Sequence, residues 1–202
     1  TFNTGPTLTF SDSTASFTVT DNSAGTFTVR AVNNSNSSAN GESALITVNP
    51  DVAENFEILS SQDSIVVSTD RTIQVRLRDQ YNNTISGATV DFTRTQGNGT
   101  FTGGIDNTSD VTDANGLAEA LYTASSSVSY VSDQISVTSG AASGTVILPL
   151  KTGLISYYEF SPASAQNTTA GVGIAFTITA RDQNGNGVVN SNSVTLSTPG
   201  SS

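Results

Sequence analysis

Three observations predict an all-β chain built as antiparallel β-sandwiches in tandem. Apolar and polar residues alternate with period two in many short runs. Clusters of Asn, Asp and Gly separate those runs. One six-residue motif returns about 100 residues after its first copy, the length of one sandwich.

The strands are read in chain order. The first are Phe17-Thr18-Val19-Thr20 and Phe27-Thr28-Val29-Arg30. Next come Phe56-Glu57-Ile58, the run Ile73-Gln74-Val75-Arg76-Leu77-Arg78, and Val90-Asp91-Phe92. Ile135-Ser136-Val137, Val146-Ile147-Leu148, Phe176-Thr177-Ile178-Thr179 and Val194-Thr195-Leu196 complete the set. Period two sends apolar side chains to one face and polar ones to the other. Thr, Val, Ile and Phe suit that geometry because branched and aromatic side chains fit a half-buried pleat. The turns between them are Asn82-Asn83, Gly97-Asn98-Gly99, Asn115-Gly116 and Asn184-Gly185-Asn186-Gly187. Asn and Gly reach the positive φ angles that tight turns demand. Leu117-Ala118-Glu119-Ala120-Leu121-Tyr122 contains good helix formers, but it is short and follows a turn. It is read as a strand with Leu117, Glu119 and Leu121 on one face.

The repeat organises the chain. Arg78-Asp79-Gln80-Tyr81-Asn82-Asn83 matches Arg181-Asp182-Gln183-Asn184-Gly185-Asn186. An alternating strand precedes and follows each copy, and an aromatic opening, Phe56-Glu57-Ile58 or Tyr158-Glu159-Phe160, comes before it. Val146-Ile147-Leu148-Pro149 and Ile46-Thr47-Val48-Asn49-Pro50 close two units alike. The expected division is therefore a complete immunoglobulin-like domain over residues 51–150. Residues 151–202 are expected to be the front half of a second, and residues 1–50 the back half of one. Joining Leu196 through Ser202 to Thr1 and Phe2 reproduces the spacing from Phe92 to Phe101 within a residue. Three arrangements fit: a tandem array cut out of register, a polymer in which one subunit's front half completes its neighbour's back half, or pairing of the halves within one chain. The last is disfavoured because the two ends of a sandwich in a rod lie far apart. The array is preferred, since half a sandwich exposes unpaired edges.

Composition narrows the chemistry. Cys, His, Met and Trp are absent, so thiolate nucleophiles, imidazole bases, Cys/His zinc sites and disulfides are excluded. The formal net charge is −10 and Lys151 is the single lysine. Nucleic acid and anionic membrane surfaces, which need clustered Lys and Arg, are not expected partners. Charged residues are sparse, and the polar surface rests on Ser, Thr, Asn and Gly. That composition goes with an extracellular or cell-surface place. No apolar run is long enough to cross a bilayer, so no membrane insertion by this segment is expected. Neither a leader nor an anchor is read in the chain, so a secreted protein would carry those elements outside it.

Residues 51–150 resemble the bacterial immunoglobulin-like domains of invasin- and intimin-type adhesins. Three stretches carry the resemblance: Arg78 to Asn83, Gly87-Ala88-Thr89-Val90-Asp91-Phe92, and Thr112-Asp113-Ala114-Asn115-Gly116-Leu117-Ala118. The composite of the two ends lacks the last turn and has Thr20-Asp21-Asn22-Ser23-Ala24-Gly25-Thr26-Phe27 in its place. The resemblance implies tandem repeats in an extracellular stalk and no catalysis.

Several motifs invite a sharper reading. Asp182-Gln183-Asn184-Gly185-Asn186-Gly187 starts like a calcium loop, but Ser193 stands where a bidentate Glu belongs. A polar hairpin turn is preferred there, and also for Asp113 with Asn115 and Asp79 with Asn83. Weakly bound calcium at a junction is the alternative, and no other cofactor is expected. The carboxylates are spread along the chain and suggest no glycosidase pair. Asn33, Asn36, Asn82, Asn98, Asn107 and Asn167 open Asn-x-Ser/Thr glycosylation sequons. Tyr157, Tyr158 and Phe160 are expected to pack in a core or against a neighbouring domain and not to form a sugar platform.

The function that follows is a structural repeat unit of an extracellular filament or adhesin stalk, not an enzyme. Its partners are neighbouring copies of the same repeat or subunit. The alternatives are a module that binds surface glycans or receptors, and an accessory domain of a secreted enzyme.

Overall fold

A computed structural model describes residues 8–10, 12–189 and 193–197, and the chain is an all-β protein of immunoglobulin-like sandwich architecture. Strands β1 (Gly25–Phe27), β2 (Arg30–Val32), β3 (Asn40–Glu42) and β4 (Ile46–Val48) lie in the N-terminal segment. The middle of the chain holds β5 (Ala53–Ile58), β6 (Ile65–Val66), β7 (Asp70–Asp79), β8 (Thr89–Gln96) and β9 (Thr100–Phe101). It continues with β10 (Asn107–Val111), β11 (Leu117–Thr123), β12 (Ser132–Ser139) and β13 (Ala142–Lys151). The C-terminal segment holds β14 (Tyr157–Ser161) and β15 (Thr177–Arg181).

Strands β5 to β13 form one sandwich. One sheet runs β10-β8-β12-β13-β6 and the other β5-β7-β11-β9. The sheets share their core through alternate residues, as period two requires. Ile73, Val75 and Leu77 of β7, Val90 and Phe92 of β8, and Ile135 and Val137 of β12 are all fully buried. Phe101 packs edge-on against Phe92 and Tyr122, with ring centroids 6.4 and 5.1 Å away. Short β6 leaves the sheet of β5 and pairs parallel with β13, which ties the two sheets together at that margin.

Leu117, Glu119 and Leu121 share one face of β11 as read, and the structure settles which side is buried. Ala118, Ala120 and Tyr122 point into the core, while Glu119 and Leu121 are exposed. The volume of Tyr122 opposite Phe101 accounts for this: the small alanines make room for large residues across the sandwich, and Leu121 is left outside.

The segments on either side follow the same register. Tyr158 pairs with Ala180 and Phe160 with Ile178 in the β14–β15 ladder. Phe56 with Leu77 and Ile58 with Val75 are the corresponding pairs in β5–β7. In the N-terminal segment β1 pairs with β4 and β2 with β3, making one long hairpin that leads into the linker at Asp51. Phe17 to Thr20 and Val194 to Leu196, expected as strands, have no ladder partner among the described residues. An alternating sequence becomes a strand only where a neighbour accepts its hydrogen bonds. The direct joining of Leu196 to Phe2 falls on residues outside the described ones.

Candidate functional site: a joint built twice

The repeated Arg-Asp-Gln motif sits in the turn that follows β7 and again in the turn that follows β15. In each copy the aspartate is fully buried. Asp79 Oδ1 accepts the backbone N–H groups of Tyr81 and Asn83 at 2.9 and 2.8 Å. Asp182 Oδ1 accepts those of Asn184 and Asn186, both at 2.9 Å. The other carboxylate oxygen reaches the linker that enters the unit. Asp51 N–H donates to Asp79 Oδ2 at 2.9 Å, and Gly153 N–H donates to Asp182 Oδ2 at 3.1 Å. The turn needs one residue at positive φ, and Asn82 (70°) and Gly185 (82°) supply it at matching positions.

The asparagine four residues after each aspartate connects to the preceding unit. Asn83 Nδ2 donates to Asn22 O, and Asn83 Oδ1 accepts the N–H of Ala24, both at 2.8 Å. Asn186 Nδ2 donates to Ser126 O at 2.9 Å, and Asn186 Oδ1 accepts the N–H of Val128 at 3.2 Å. A carboxamide carries a donor and an acceptor side by side, so it can satisfy a C=O and an N–H two residues apart on another segment. Each amide is itself held by its aspartate, Asn83 at 2.8 Å and Asn186 at 3.0 Å to the Oδ2.

The arginine of the motif fixes the same turn from its outer side. Arg78 NH1 donates to Asn82 O at 2.9 Å, and Arg181 NH1 to Gly185 O at 3.1 Å. The rest of each guanidinium grips a glutamate on the neighbouring strand. Arg78 NH2 is 2.8 Å from Glu57, and Arg181 NH2 is 2.7 Å from Glu159. The hydrogen bond from Arg78, aided by Arg76, holds the Glu57 carboxyl below its ordinary value.

Burial pushes the pKa of Asp79 and of Asp182 upward, but the hydrogen bonds outweigh it. For Asp79 they come from the side chain of Asn83 and the N–H groups of Asp51, Asn83 and Tyr81. Its pKa ends below the ordinary aspartate value. For Asp182 the donors are the side chain and N–H of Asn186 with the N–H groups of Gly153 and Asn184, and the direction is the same.

The two joints lie at opposite ends of the central sandwich. Asp79 ends β7, whereas the Ser126–Val128 backbone follows β11, whose last residue pairs with Asp70 at the start of β7. A ten-residue strand separates them, roughly 30 Å at a strand's rise per residue. The receiving end is set by a buried pair that composition and pattern did not single out. Asp133 Oδ2 accepts the N–H of Ser125 at 2.7 Å, and the Ser125 hydroxyl donates to Asp133 Oδ1. That hydroxyl also accepts the N–H groups of Asn98 and Gly99, at 2.6 and 2.9 Å. No alternation or spacing marks Ser125 or Asp133. Their only sequence sign is a charged residue on the apolar face of β12.

The calcium candidates take a definite place. Asp79, Asp182 and Asn186 belong to the joints, with their oxygens engaged as described, while Asn184 is exposed in the turn. Asp113 and Asn115 form a similar turn: Asp113 Oδ1 accepts the N–H groups of Asn115 and Leu117 at 2.7 and 2.9 Å. Those N–H groups, with burial acting the other way, hold the Asp113 pKa below the ordinary value. Among the described residues no three acidic side chains gather into a metal-binding group. The sequon asparagines 33, 36, 82, 98, 107 and 167 are all exposed. Tyr157, Tyr158 and Phe160 are exposed too, contrary to the packing expected of them. Tyr158 and Phe160 hold the positions that Phe56 and Ile58 fill against the core of the central sandwich, but here they are 39% and 45% exposed among the described residues.

Neither a protein-family model nor a curated protein sequence matches the chain. Solved structures do. A structure of domains 4–9 of the surface-layer protein SbsC is similar at 22% identity with a TM-score of 0.41, over 82% of this chain and 25% of that one. Domains 5–6 of SbsC match at 22% identity and a TM-score of 0.39, over 70% of this chain and 67% of that one. A β-glucuronidase from Parabacteroides merdae matches at 14% identity and a TM-score of 0.37, over 63% of this chain and 16% of the enzyme. The chain thus spans about a quarter of the first of these structures.

Proposed function

We propose that this chain is a structural repeat unit of an extracellular filament or adhesin stalk, and that its middle sandwich is a bacterial immunoglobulin-like domain of the invasin–intimin type. The observation that carries the reading is the joint. The same Arg-Asp-Asn device links the central sandwich to the segment before it and the segment after it to the central sandwich, atom for atom. A one-off contact between globular domains has no reason to recur in this way. A chain that must extend by adding identical links does.

The device also suits a mechanical role. Each joint ties three pieces together: the entering linker, the turn of the new unit and the end strand of the old one. The hydrogen bonds made to the aspartate itself are shielded from water by its burial, which strengthens them. The linker is short, so the pieces it joins have little room to bend independently. Catalysis and a required cofactor are absent from this reading: the buried aspartates serve as acceptors for backbone N–H groups. A sugar platform at Tyr158 and Phe160 is disfavoured because their counterparts Phe56 and Ile58 are core-facing residues.

Small-angle scattering and negative-stain microscopy of the full chain test the proposal. The expected particle is a rod of end-to-end beads about 4 nm apart, from strand rise and sandwich size. Compact, equidimensional particles would sink it. A glycan array with specific signal lost on Tyr158→Ala would favour the binding-module alternative.

A further inference from the structure

We infer that the Asn186-Gly187 pair is a deamidation site guarded by the second joint: docking protects it, and once it has reacted the joint cannot close again. The inference concerns a covalent change within one chain and holds whether or not copies assemble into a filament.

Deamidation begins at the backbone nitrogen of the residue after the asparagine. That nitrogen gives up its proton and attacks the side-chain carbonyl carbon, Cγ. The Cγ–Nδ2 bond breaks, ammonia leaves, and a five-membered succinimide ring remains. Water then opens the ring at one of its two C–N bonds and gives aspartate or isoaspartate. Water is the sole co-reactant. Asparagine is thermolabile by this route, and a following glycine favours it because no Cβ hinders ring closure. Two groups must be free at once: the side-chain amide and the next backbone N–H.

The chain has five Asn-Gly pairs, beginning at Asn40, Asn98, Asn115, Asn184 and Asn186. In four of them the glycine N–H is held. Gly99 donates to the Ser125 hydroxyl at 2.9 Å. Gly116 donates to Asp113 O at 3.0 Å, and Gly185 to Asp182 O at 3.1 Å. Gly41 stands opposite Ala31 in the β2–β3 ladder. The bonds from Asn33 N to Ala39 O and from Ser43 N to Val29 O lie two residues to either side, which makes Ala31 and Gly41 a hydrogen-bonded pair. Gly187 is the exception. It faces Arg181 in an isolated bridge, and the bonds beside it run from Asp182 N to Asn186 O and from Val188 N to Ala180 O. The facing pair itself therefore exchanges none. Gly187 is exposed, and among the described residues its N–H meets no acceptor.

What restrains Asn186 is the joint. Its Nδ2 donates to Ser126 O and to Asp182, while its Oδ1 accepts the N–H of Val128. A carboxamide held through both its atoms cannot swing Cγ onto its own backbone, so the reaction waits until the joint opens. The product cannot restore the contact. Aspartate has no N–H for Ser126 O and sets a second carboxylate beside Asp182. Isoaspartate lengthens the backbone by one methylene. Opening by this route runs one way.

The first joint shares the backbone but not the chemistry. Thr84 faces Arg78 in the corresponding bridge, flanked by the corresponding bonds from Asp79 N to Asn83 O and from Ile85 N to Leu77 O. Asn83 is followed there by a stiff, branched side chain that hinders ring closure. Two joints built alike thus age differently, and the second is the one that lets go.

Two substitutions in the full chain test this. Val128→Pro removes the N–H that Asn186 Oδ1 accepts. Val128 opens the short 3-10 helix Val128–Tyr130, and Ser127 before it is extended, at φ −123° and ψ 130°, so a proline fits the backbone. Gly187→Thr copies the first joint, and a Cβ added there meets only Arg181 NH1, at 3.9 Å. The proteins are incubated at mildly alkaline pH, and conversion at each Asn-Gly pair is followed by tandem mass spectrometry. Val128→Pro should convert Asn186 several-fold faster than the parent does, and faster than any of the other four pairs. Adding Gly187→Thr should lower that rate several-fold and leave the other pairs unchanged. If Val128→Pro shifts the main unfolding transition, the parent in urea below that transition supplies the same comparison. Equal rates at Asn186 in the docked and opened chains overturn the guard. Conversion of Asn184 as fast as Asn186 in the opened chain overturns the role of the free N–H. The converted parent, separated by its added negative charge, should scatter with a broader distribution of lengths than the unconverted one. Identical scattering would overturn the one-way opening. These rates come from single chains, so the rod shape of the fresh parent judges the filament reading separately.

Discussion

Asn83 and Asn186 hold the units ahead of them by the same pair of hydrogen bonds, donating to a carbonyl and accepting from the N–H two residues further on. The aspartates four residues earlier, Asp79 and Asp182, orient both amides and secure both linkers. Each joint thus depends on one buried carboxylate and one carboxamide.

Asn186→Ala should loosen the second joint and leave the sandwich intact. The two hydrogen bonds to Ser126 and Val128 vanish, at a cost of about 1–2 kcal/mol to docking. Scattering should show a broader distribution of end-to-end lengths, with the main unfolding transition unmoved. Asn186→Asp should loosen it further, because a carboxylate would face Ser126 O with no proton to donate.

Asp79→Ala should cost more, about 2–4 kcal/mol, since it strands several backbone N–H groups in a buried turn. Urea unfolding followed by circular dichroism should record the loss. Asp79→Asn should fall between this variant and the parent, because an amide oxygen still accepts but its NH₂ meets the Asp51 N–H.

The joints should weaken in acid. The pKa values of Asp79 and Asp182 are lowered in the folded chain. As pH falls, the unfolded or undocked form therefore takes up its proton first. The stabilisation is whole above the ordinary aspartate value of 3.8 and fades as pH drops through the lower folded values. Rod length measured from pH 7 downward should hold until about pH 4 and then shorten or scatter. Constant stiffness well below that range would contradict the assignment.

Gly97→Ala should be among the most damaging substitutions in the central sandwich. Gly97 has a φ of +91°, and an added Cβ would overlap Asp133 Oδ1. The change strains the backbone and displaces the buried carboxylate that holds Ser125. A loss of roughly 3 kcal/mol or more is expected in denaturant unfolding.

Removing calcium should leave the melting temperature unchanged. The oxygens of Asp79 and Asp182 already accept backbone and amide N–H groups. A drop in melting temperature on chelation, reversed by millimolar calcium, would show that the turns hold an ion instead.

The strands of the central sandwich and the repeat were legible because both are written in side chains. Ile73, Val75 and Leu77 alternate with polar residues, and Arg-Asp-Gln recurs with its flanking strands. The joint was legible only in part. Asp79 with Asn83 and Asp182 with Asn186 stood out as polar turns, yet nothing in them named Asn22, Ala24, Ser126 or Val128 as partners. Those four contribute backbone groups, and every residue has the same ones. Likewise Leu117, Glu119 and Leu121 alternate as well as Ala118, Ala120 and Tyr122 do, so period two alone could not choose the buried face.

What the sequence determined by itself is local: where the chain extends, where it turns, and that two stretches about 100 residues apart are built alike. Only the tertiary structure decided which alternating runs acquire a ladder and which apolar faces are covered. Those outcomes depend on a second surface brought from far along the chain, or from another chain. Phe92 and Leu196 occupy corresponding places in their segments, and one is buried while the other lies open, because among the described residues only the first has a second sheet packed against it.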